Sequence, residues 1–113
     1  MQAGDVVRVD FAVPQGSEPG FVRPAVVLTA DNVLRAQPRT VHVVPLTSNI
    51  RRNFPTDVVL DDEVAQPSAA QVHLCTVIST ARIADAATAS AENVGPLHLA
   101  QMRSVLADLL DLP

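Results

Sequence analysis

The stretch GSEPGFVRPAVVLT, residues 16–29, passes from a turn-rich segment into an apolar run. Its Gly, Ser and Pro residues are typical of a loop, and the β-branched run after Pro24 predicts a buried strand. Because a proline holds the preceding residue in extended backbone, Arg23 has few directions in which to point its guanidinium. The stretch therefore predicts a central strand that carries a positioned charge at its mouth. A surface arginine paired with Glu18 is the simpler alternative.

Further strands are predicted on both sides of this run. In DVVRVDF, residues 5–11, Val and Phe alternate with Arg and Asp, which is the period of a half-buried strand. TVHVVPLT, residues 40–47, is nearly continuously apolar and predicts a second central strand. TDVVL, residues 56–60, predicts another, and the segment from Gln71 to Ile83 predicts two strands or one bent strand. Short strands at this spacing predict a barrel or a sandwich.

The C-terminal segment has a helical period instead. From Pro96 onward one helical face is apolar, and Gly95 and Pro96 suit the cap and the first position of a helix. The apolar face consists of Leu99, Met102, Val105, Leu106, Leu109 and Leu110. A short helix is also predicted in DNVLRA, residues 31–36. The predicted fold class is mainly β with a C-terminal helix, in which that helix closes a small, curved, mostly antiparallel sheet.

Length and composition restrict the class of protein. With 113 residues, 48% of them hydrophobic and 18% charged, the chain predicts one globular domain, residues 1–113. No apolar run is long enough to span a bilayer and no secretion signal is recognisable, so we expect a cytoplasmic protein with no membrane partner. A net charge of −4 argues against a protein that coats nucleic acid, although it is compatible with a small local site. The single cysteine, Cys75, is predicted to be a small core residue.

Few residue patterns point to chemistry by themselves. Thr47 ends a predicted strand in PLTSN, residues 45–49, and an active-site hydroxyl and an ordinary strand end are both compatible with this position. Strand alternation places His42 on the opposite face from Thr47. None of the three histidines has a neighbour that marks a catalytic or metal-binding role, and DDE, residues 61–63, is typical of a solvated turn. We therefore expect no metal and no cofactor.

RRNFP, residues 51–55, contains the only two adjacent basic residues. Arg51 and Arg52 follow Thr47 closely and could form a phosphate rim, or could serve solubility alone. Phe54 in the same segment could stack on a base.

Three segments together resemble the MazF/PemK toxins of bacterial toxin–antitoxin pairs. They are GDVVRVDF, GSEPGFVRPAVVLT and VVPLTSN, in this order and followed by a C-terminal helix. The resemblance implies an SH3-like barrel that works as a homodimer, a MazE-like antitoxin as partner, and a metal-independent endoribonuclease (mRNA interferase) that cuts single-stranded RNA at a specific sequence. By position it implies Arg23 and Thr47 as catalytic residues. The residues that we expect to bind the substrate are Glu18, Ser48, Arg51, Arg52 and Phe54.

In the implied reaction the ribose 2′-hydroxyl is the nucleophile, so the products carry a 2′,3′-cyclic phosphate and a 5′-hydroxyl. Arg23 would stabilise the developing charge, and Thr47 would hydrogen-bond a phosphate oxygen or align the reacting groups. An antitoxin tail would insert where RNA binds, and its acidic residues would imitate phosphates against Arg23, Arg51 and Arg52.

Two features depart from the family pattern. Arg8 stands where the first strand commonly has an aromatic residue, and the Gln-Ile-Arg type of segment that often precedes the family's Arg-Leu pair is not recognisable before Arg82 and Ile83. Two alternatives therefore stay open. One is a CcdB-like toxin, which shares the barrel and binds DNA gyrase without cutting anything; the other is an inactive relative that only binds RNA or an antitoxin.

Overall fold

The computed structural model describes residues 1–50, 54–60, 67–84 and 92–113. Within these residues the chain forms strands and two α-helices. The last three strands along the chain are connected by two 3-10 turns, Val72–Leu74 and Thr80–Arg82. In chain order the elements are β1 (Val6–Asp10), β2 (Val22–Val27), α1 (Asp31–Leu34), β3 (Thr40–Thr47), β4 (Asp57–Leu60), β5 (Ser68–Gln71), β6 (Thr76–Ser79), β7 (Ile83–Ala84) and α2 (Gly95–Leu109).

The strands form one antiparallel sheet in the order β4-β5-β3-β2-β1-β7, with β6 also paired to β3. β3 is central because it pairs with β2 on one side and, on the other, with β6 near its start and β5 near its end. Among the described strands the sheet does not close on itself, and its order is compatible with a barrel-like fold. The predicted fold class, mainly β with a C-terminal helix, is confirmed.

The core consists of two clusters that take alternate residues of the same central strands. Val26 and Val44 belong to the cluster that packs against α2, whereas Ala25, Val27 and Val43 belong to the other. A strand buried on both faces has no polar alternation. This explains why β2 and β3 are nearly continuous apolar runs in the sequence.

The C-terminal helix is present, but its buried face is shorter than predicted. Leu99 and Met102 are buried against the sheet, and Val105 and Leu106 pack partly against it. Leu110 is 60% exposed, and Leu109 is exposed as well, because the last turn of α2 extends past the edge of the core. The cap also differs: Val94 is the N-cap and Gly95 is already helical.

One strand was not predicted from the sequence. β5 has the sequence SAAQ, and alanine has little of the β-branched character that marks a strand. Its two alanines are fully buried, and the strand lies between β3 and β4 in the sheet. The segment from Gln71 to Ile83 contains β6 and the first residue of β7, and the short helix after Ala30 is α1.

Candidate active site

Arg23 and Thr47 lie at neighbouring ends of the two central strands. β2 and β3 pair in the register Ala25↔Pro45 and Val27↔Val43. Arg23 and Thr47 each lie two residues beyond the last of these pairs, Ala25 and Pro45. Because side chains alternate between the faces along each strand, Arg23 is expected on the side of Ala25 and Thr47 on the side of Pro45, which is one face of the sheet.

The Arg23 side chain is half-buried and held by two acceptors. Its Nη2 donates to the carbonyl oxygen of Leu46 at 3.0 Å and to Oε1 of Gln71 at 3.5 Å. Burial lowers the pKa of Arg23, because desolvation disfavours the charged form. The guanidinium remains cationic at neutral pH. Its position is therefore set by the sheet, and its tendency to give up a proton is greater than that of a free arginine.

The Thr47 hydroxyl is held by the turn that follows β3. Its Oγ1 accepts a hydrogen bond from the backbone N–H of Asn49 at 3.2 Å. A hydroxyl that accepts one bond still has a proton to donate, so Thr47 can bind a phosphate oxygen. Ser48 follows directly and is exposed, so it lies at the margin of this face.

The same face of the sheet carries two further polar side chains. Thr47 pairs with Ala69 on β5, and Gln71, two residues further along β5, projects to the same side. Asp57 on β4 is the direct partner of Gln71. Arg23, Thr47, Gln71 and Asp57 thus lie on four adjacent strands, which span about 14 Å at the usual strand spacing.

Glu18 lies in the loop between β1 and β2 and faces a different cavity. Its Oε1 accepts from the backbone N–H of Gln15 at 3.1 Å, and its side chain lines a cavity of about 220 Å³ together with Phe11 and Arg82. Among the ion pairs of the described residues there is none between Glu18 and Arg23. The pairing that the sequence allowed as the simpler reading of Arg23 is therefore absent from this part of the chain.

The ends of this loop are in a strained conformation. Phe21 donates its N–H to the carbonyl of Ala12, and φ is 62° at Ala12 and 60° at Phe21. A left-handed conformation costs a non-glycine residue about 1 kcal/mol. Gly20 is required inside the loop, because a Cβ at this position would overlap the ring of Pro14. The loop is thus held in a defined shape at its base.

Phe54 lies three residues before β4 and is accessible for stacking. Its side chain is 57% exposed, and its ring contacts the ring of His73 in an edge-to-face arrangement with centroids 5.5 Å apart. Arg51 and Arg52, which we predicted as a phosphate rim, lie outside the described residues.

Sequence reasoning missed Gln71, Asp57 and His73 as members of this site. Gln71 and Asp57 were noted only as residues of strand segments, and His73 only as one of three histidines without a marked role. A polar residue at an inward position of an apolar strand can mark a functional site in the sequence. It does not reveal which residue of a distant strand is its neighbour. The pairing of β4 with β5 provides that information.

The described residues contain neither a cluster suited to a metal nor a membrane helix. Within residues 1–50, 54–60, 67–84 and 92–113 no group of three His, Cys, Asp or Glu side chains could hold a metal ion. In the same part of the chain, neither helix is long and apolar enough to cross a membrane.

Comparison with known proteins supports a family assignment. Residues 2–112 match the family model described as a PemK-like, MazF-like toxin of type II toxin–antitoxin system. The endoribonuclease MazF9 of Mycobacterium tuberculosis is 38% identical over 64 residues, which cover 53% of this chain and 54% of that protein. The alignment with this relative thus spans about half of its length.

Solved structures of low sequence identity share the fold. MazF from Deinococcus radiodurans matches with a TM-score of 0.74 at 24% identity, over 99% of this chain and 97% of that one. An endoribonuclease from a mycobacterial species, solved in complex with its cognate antitoxin, matches with a TM-score of 0.72 at 19% identity, over 100% of this chain and 95% of that one. Together with the family match over nearly the whole chain, these observations show that the protein belongs to the PemK-like, MazF-like toxins of type II toxin–antitoxin systems.

Proposed function

We propose that this protein is an endoribonuclease toxin that cleaves single-stranded RNA at a specific sequence, with Arg23 and Thr47 as its catalytic residues. The observation that supports the proposal is the hydrogen bond from the half-buried guanidinium of Arg23 to the carbonyl oxygen of Leu46, the residue directly before Thr47. Membership of the toxin family and the similarity to an endoribonuclease of Mycobacterium tuberculosis support it.

The arrangement suits a reaction in which RNA supplies its own nucleophile. The 2′-oxygen forms a bond to phosphorus and releases its proton to solvent, the bond from phosphorus to the 5′-oxygen breaks, and the 5′-oxygen takes up a proton. This gives a 2′,3′-cyclic phosphate and a 5′-hydroxyl, and it requires neither a protein nucleophile nor a metal. The task left to the protein is to stabilise negative charge on the phosphoryl oxygens.

Arg23 and Thr47 fit that task in different ways. The Arg23 guanidinium keeps free N–H donors besides the one bound to Leu46 and Gln71, and charge stabilisation is stronger in a partly desolvated site than in water. Burial lowers the pKa of Arg23, but the guanidinium stays protonated, so its role is to stabilise charge. The Thr47 hydroxyl, fixed by the N–H of Asn49, donates to a phosphate oxygen.

The same face of the sheet would bind an antitoxin, and the protein would act as a homodimer. A mycobacterial relative in fold was solved with its cognate antitoxin, and an acidic antitoxin segment would compete with RNA phosphate for Arg23. We place the protein in the cytoplasm, where its RNA substrate would be.

The reaction type is tested by incubating the purified protein with a long single-stranded RNA in EDTA and mapping the product ends. We expect cuts at a short repeated motif, with cyclic phosphate ends, and no cut where a 2′-deoxynucleotide replaces the ribose at the scissile position. Failure of the folded protein to cut a broad set of RNAs would contradict the proposal and favour a gyrase-binding or inactive toxin. Cleavage that EDTA abolishes would contradict the metal-independent reaction.

A further inference from the structure

Asp57 has a buried carboxylate oxygen that lacks a hydrogen bond. Its side chain is 3% exposed, and its Oδ2 accepts from the backbone N–H of Phe54 at 3.1 Å, whereas its Oδ1 has no hydrogen-bond partner. An unsatisfied buried carboxylate oxygen is costly, so native proteins retain one only where something compensates. The imidazole of His73 lies beside it, with Nδ1 at 3.8 Å from Oδ1.

The surroundings of Nδ1 favour one tautomer of His73. Nδ1 is 3.3 Å from Oγ1 of Thr56 as well as 3.8 Å from Oδ1 of Asp57. With the hydrogen on Nδ1, the ring can donate toward both oxygens. With the hydrogen on Nε2, the lone pair of Nδ1 would face the carboxylate, and two acceptors repel. Asp57 therefore favours the Nδ1–H form, which leaves Nε2 as a hydrogen-bond acceptor.

His73 and Phe54 form a corner that is open to solvent. The Phe54 ring is 57% exposed and the His73 side chain 32% exposed, and their planes meet at 61° with centroids 5.5 Å apart. An exposed aromatic face is a platform on which any nucleobase can stack. A base stacked on Phe54 would have an edge close to the imidazole, so the base could be read by the free nitrogen of His73.

This corner is connected to the candidate catalytic residues. Asp57 is the direct cross-strand partner of Gln71, and Gln71 accepts a hydrogen bond from Arg23. His73 follows Gln71 by two residues, in the 3-10 turn Val72–Leu74. A base at this corner would therefore belong to a nucleotide close to the one whose phosphate Arg23 holds.

We propose that Phe54 and His73, with Asp57 as a positioning residue, form a base-recognition subsite next to the site of cleavage. The base stacks on Phe54, and its exocyclic amino group donates to Nε2 of His73. Adenine, cytosine and guanine present such a group. The one donor on this edge of uracil, its N3–H, lies between two carbonyl oxygens, so uracil in the same place would bring acceptors next to the acceptor Nε2. The buried charge of Asp57 disfavours a phosphate in the same place. The inference rests on the proposed function, because it takes single-stranded RNA as the ligand.

The positioning role is tested by the tautomer of His73, read from the ¹⁵N shifts of its ring at about pH 8.5, where an ordinary imidazole is neutral. We expect the wild-type protein to carry its hydrogen on Nδ1. In Asp57→Asn the amide oxygen must face the N–H of Phe54, so the amide nitrogen faces Nδ1 and should move the hydrogen to Nε2. Thr56→Val, which removes only the other neighbour, should leave the wild-type tautomer. A wild-type ring protonated on Nε2, or the same tautomer in Asp57→Asn, would overturn the role of Asp57.

The recognition role is tested by binding of 2′-O-methyl oligoribonucleotides that cannot be cleaved and that differ in one base at a time. At one position we expect the wild-type protein to prefer a base with an amino group over uracil by about tenfold. Asp57→Asn should lose or reverse this preference, and Phe54→Ala should weaken binding of all bases at that position. Equal affinity for the four bases at every position would overturn the proposal. So would binding that strengthens at low pH without base preference, because it would indicate an imidazolium–phosphate contact.

The uncleavable ligands separate this inference from the proposed nuclease. RNA cleavage by the wild-type protein without base preference at the Phe54–His73 corner would leave the nuclease standing and overturn the subsite. Base preference at this corner without cleavage of RNA would support the subsite and overturn the nuclease. Absence of binding to every oligonucleotide would overturn the subsite.

Discussion

The guanidinium of Arg23 donates to the backbone carbonyl oxygen of Leu46 at 3.0 Å, and Leu46 is the residue before Thr47. A side chain of β2 is thus fixed to the backbone of β3 at the point where the candidate hydroxyl stands. A backbone acceptor cannot change rotamer, so the direction of the guanidinium is set by the sheet itself. The candidate catalytic residues therefore stand on rigid strands, while the strained loop between β1 and β2 carries Glu18.

Gln71 should act as a positioning residue for Arg23. Replacing it by alanine removes the side-chain acceptor at 3.5 Å and leaves only the carbonyl of Leu46 to orient the guanidinium. We expect Gln71→Ala to reduce the rate of RNA cleavage by about tenfold or more, since small errors of orientation are costly in catalysis. The measurement is single-turnover cleavage, with Gln101→Ala on the exposed face of α2 as the matched control. Equal rates in both variants would show that Arg23 needs no help from Gln71.

The buried residues of α2, Leu99 and Met102, should contribute most of what this helix adds to the free energy of unfolding. Met102 is completely buried between α2 and the sheet, whereas Leu110 is 60% exposed. We expect Met102→Ala to lower the free energy of unfolding by about 2–5 kcal/mol, because it leaves a cavity. Leu110→Ala should change it by less than about 0.5 kcal/mol. Urea denaturation of both variants decides this, and a near-wild-type midpoint for Met102→Ala would mean that α2 does not close the core.

Cys75 should make stability fall at alkaline pH. Burial raises the pKa of the Cys75 thiol. An unfolded thiol has a pKa of about 8.5, so there is a range of alkaline pH in which the unfolded state has lost this proton and the native state keeps it. Where the native state binds more protons than the unfolded state, the free energy of unfolding decreases as pH rises. At neutral pH both states are protonated and the effect is absent.

The check is the pH dependence of urea unfolding between about pH 7 and about pH 10, compared between the wild-type protein and Cys75→Ala. We expect the alanine variant to lose less stability over the alkaline part of this range. Identical slopes for the two proteins would show that the thiol is not desolvated in the native state.

The sequence was most informative where a strand is long and apolar. β2 and β3 follow from their β-branched runs, and the helix α2 follows from its stripe of leucines and Met102. The alanine-rich β5 could not be predicted, because its strand conformation is imposed by pairing with β3 and β4 on its two sides rather than by its own residues. The prediction that Leu109 and Leu110 belong to the buried face of α2 was wrong. The periodicity shows which side of a helix is apolar, but the size of the core decides how many turns of that side are buried.

The candidate site was predictable only in part. Arg23 was marked by its position before Pro24, and Thr47 by its place at a strand end, but only the resemblance to a family joined them. The pair of Asp57 and His73 was not predictable, because it depends on the register between β4 and β5 and on the 3-10 turn after Gln71. Neither of these features has a signature in one sequence.

The most direct test of the account is RNA cleavage in EDTA by Arg23→Ala and Thr47→Val, each beside a matched control. Arg8→Ala removes the same charge from an exposed position of β1, and Thr40→Val removes a hydroxyl from the opposite end of β3. We expect the two site variants to lose at least about a hundredfold in single-turnover rate, the scale of losing one donor to the developing charge, with melting temperatures near that of the wild type. The two controls should cut at the wild-type positions and rate. If folded Arg23→Ala and Thr47→Val cut RNA at the wild-type rate, this face of the sheet is not the active site.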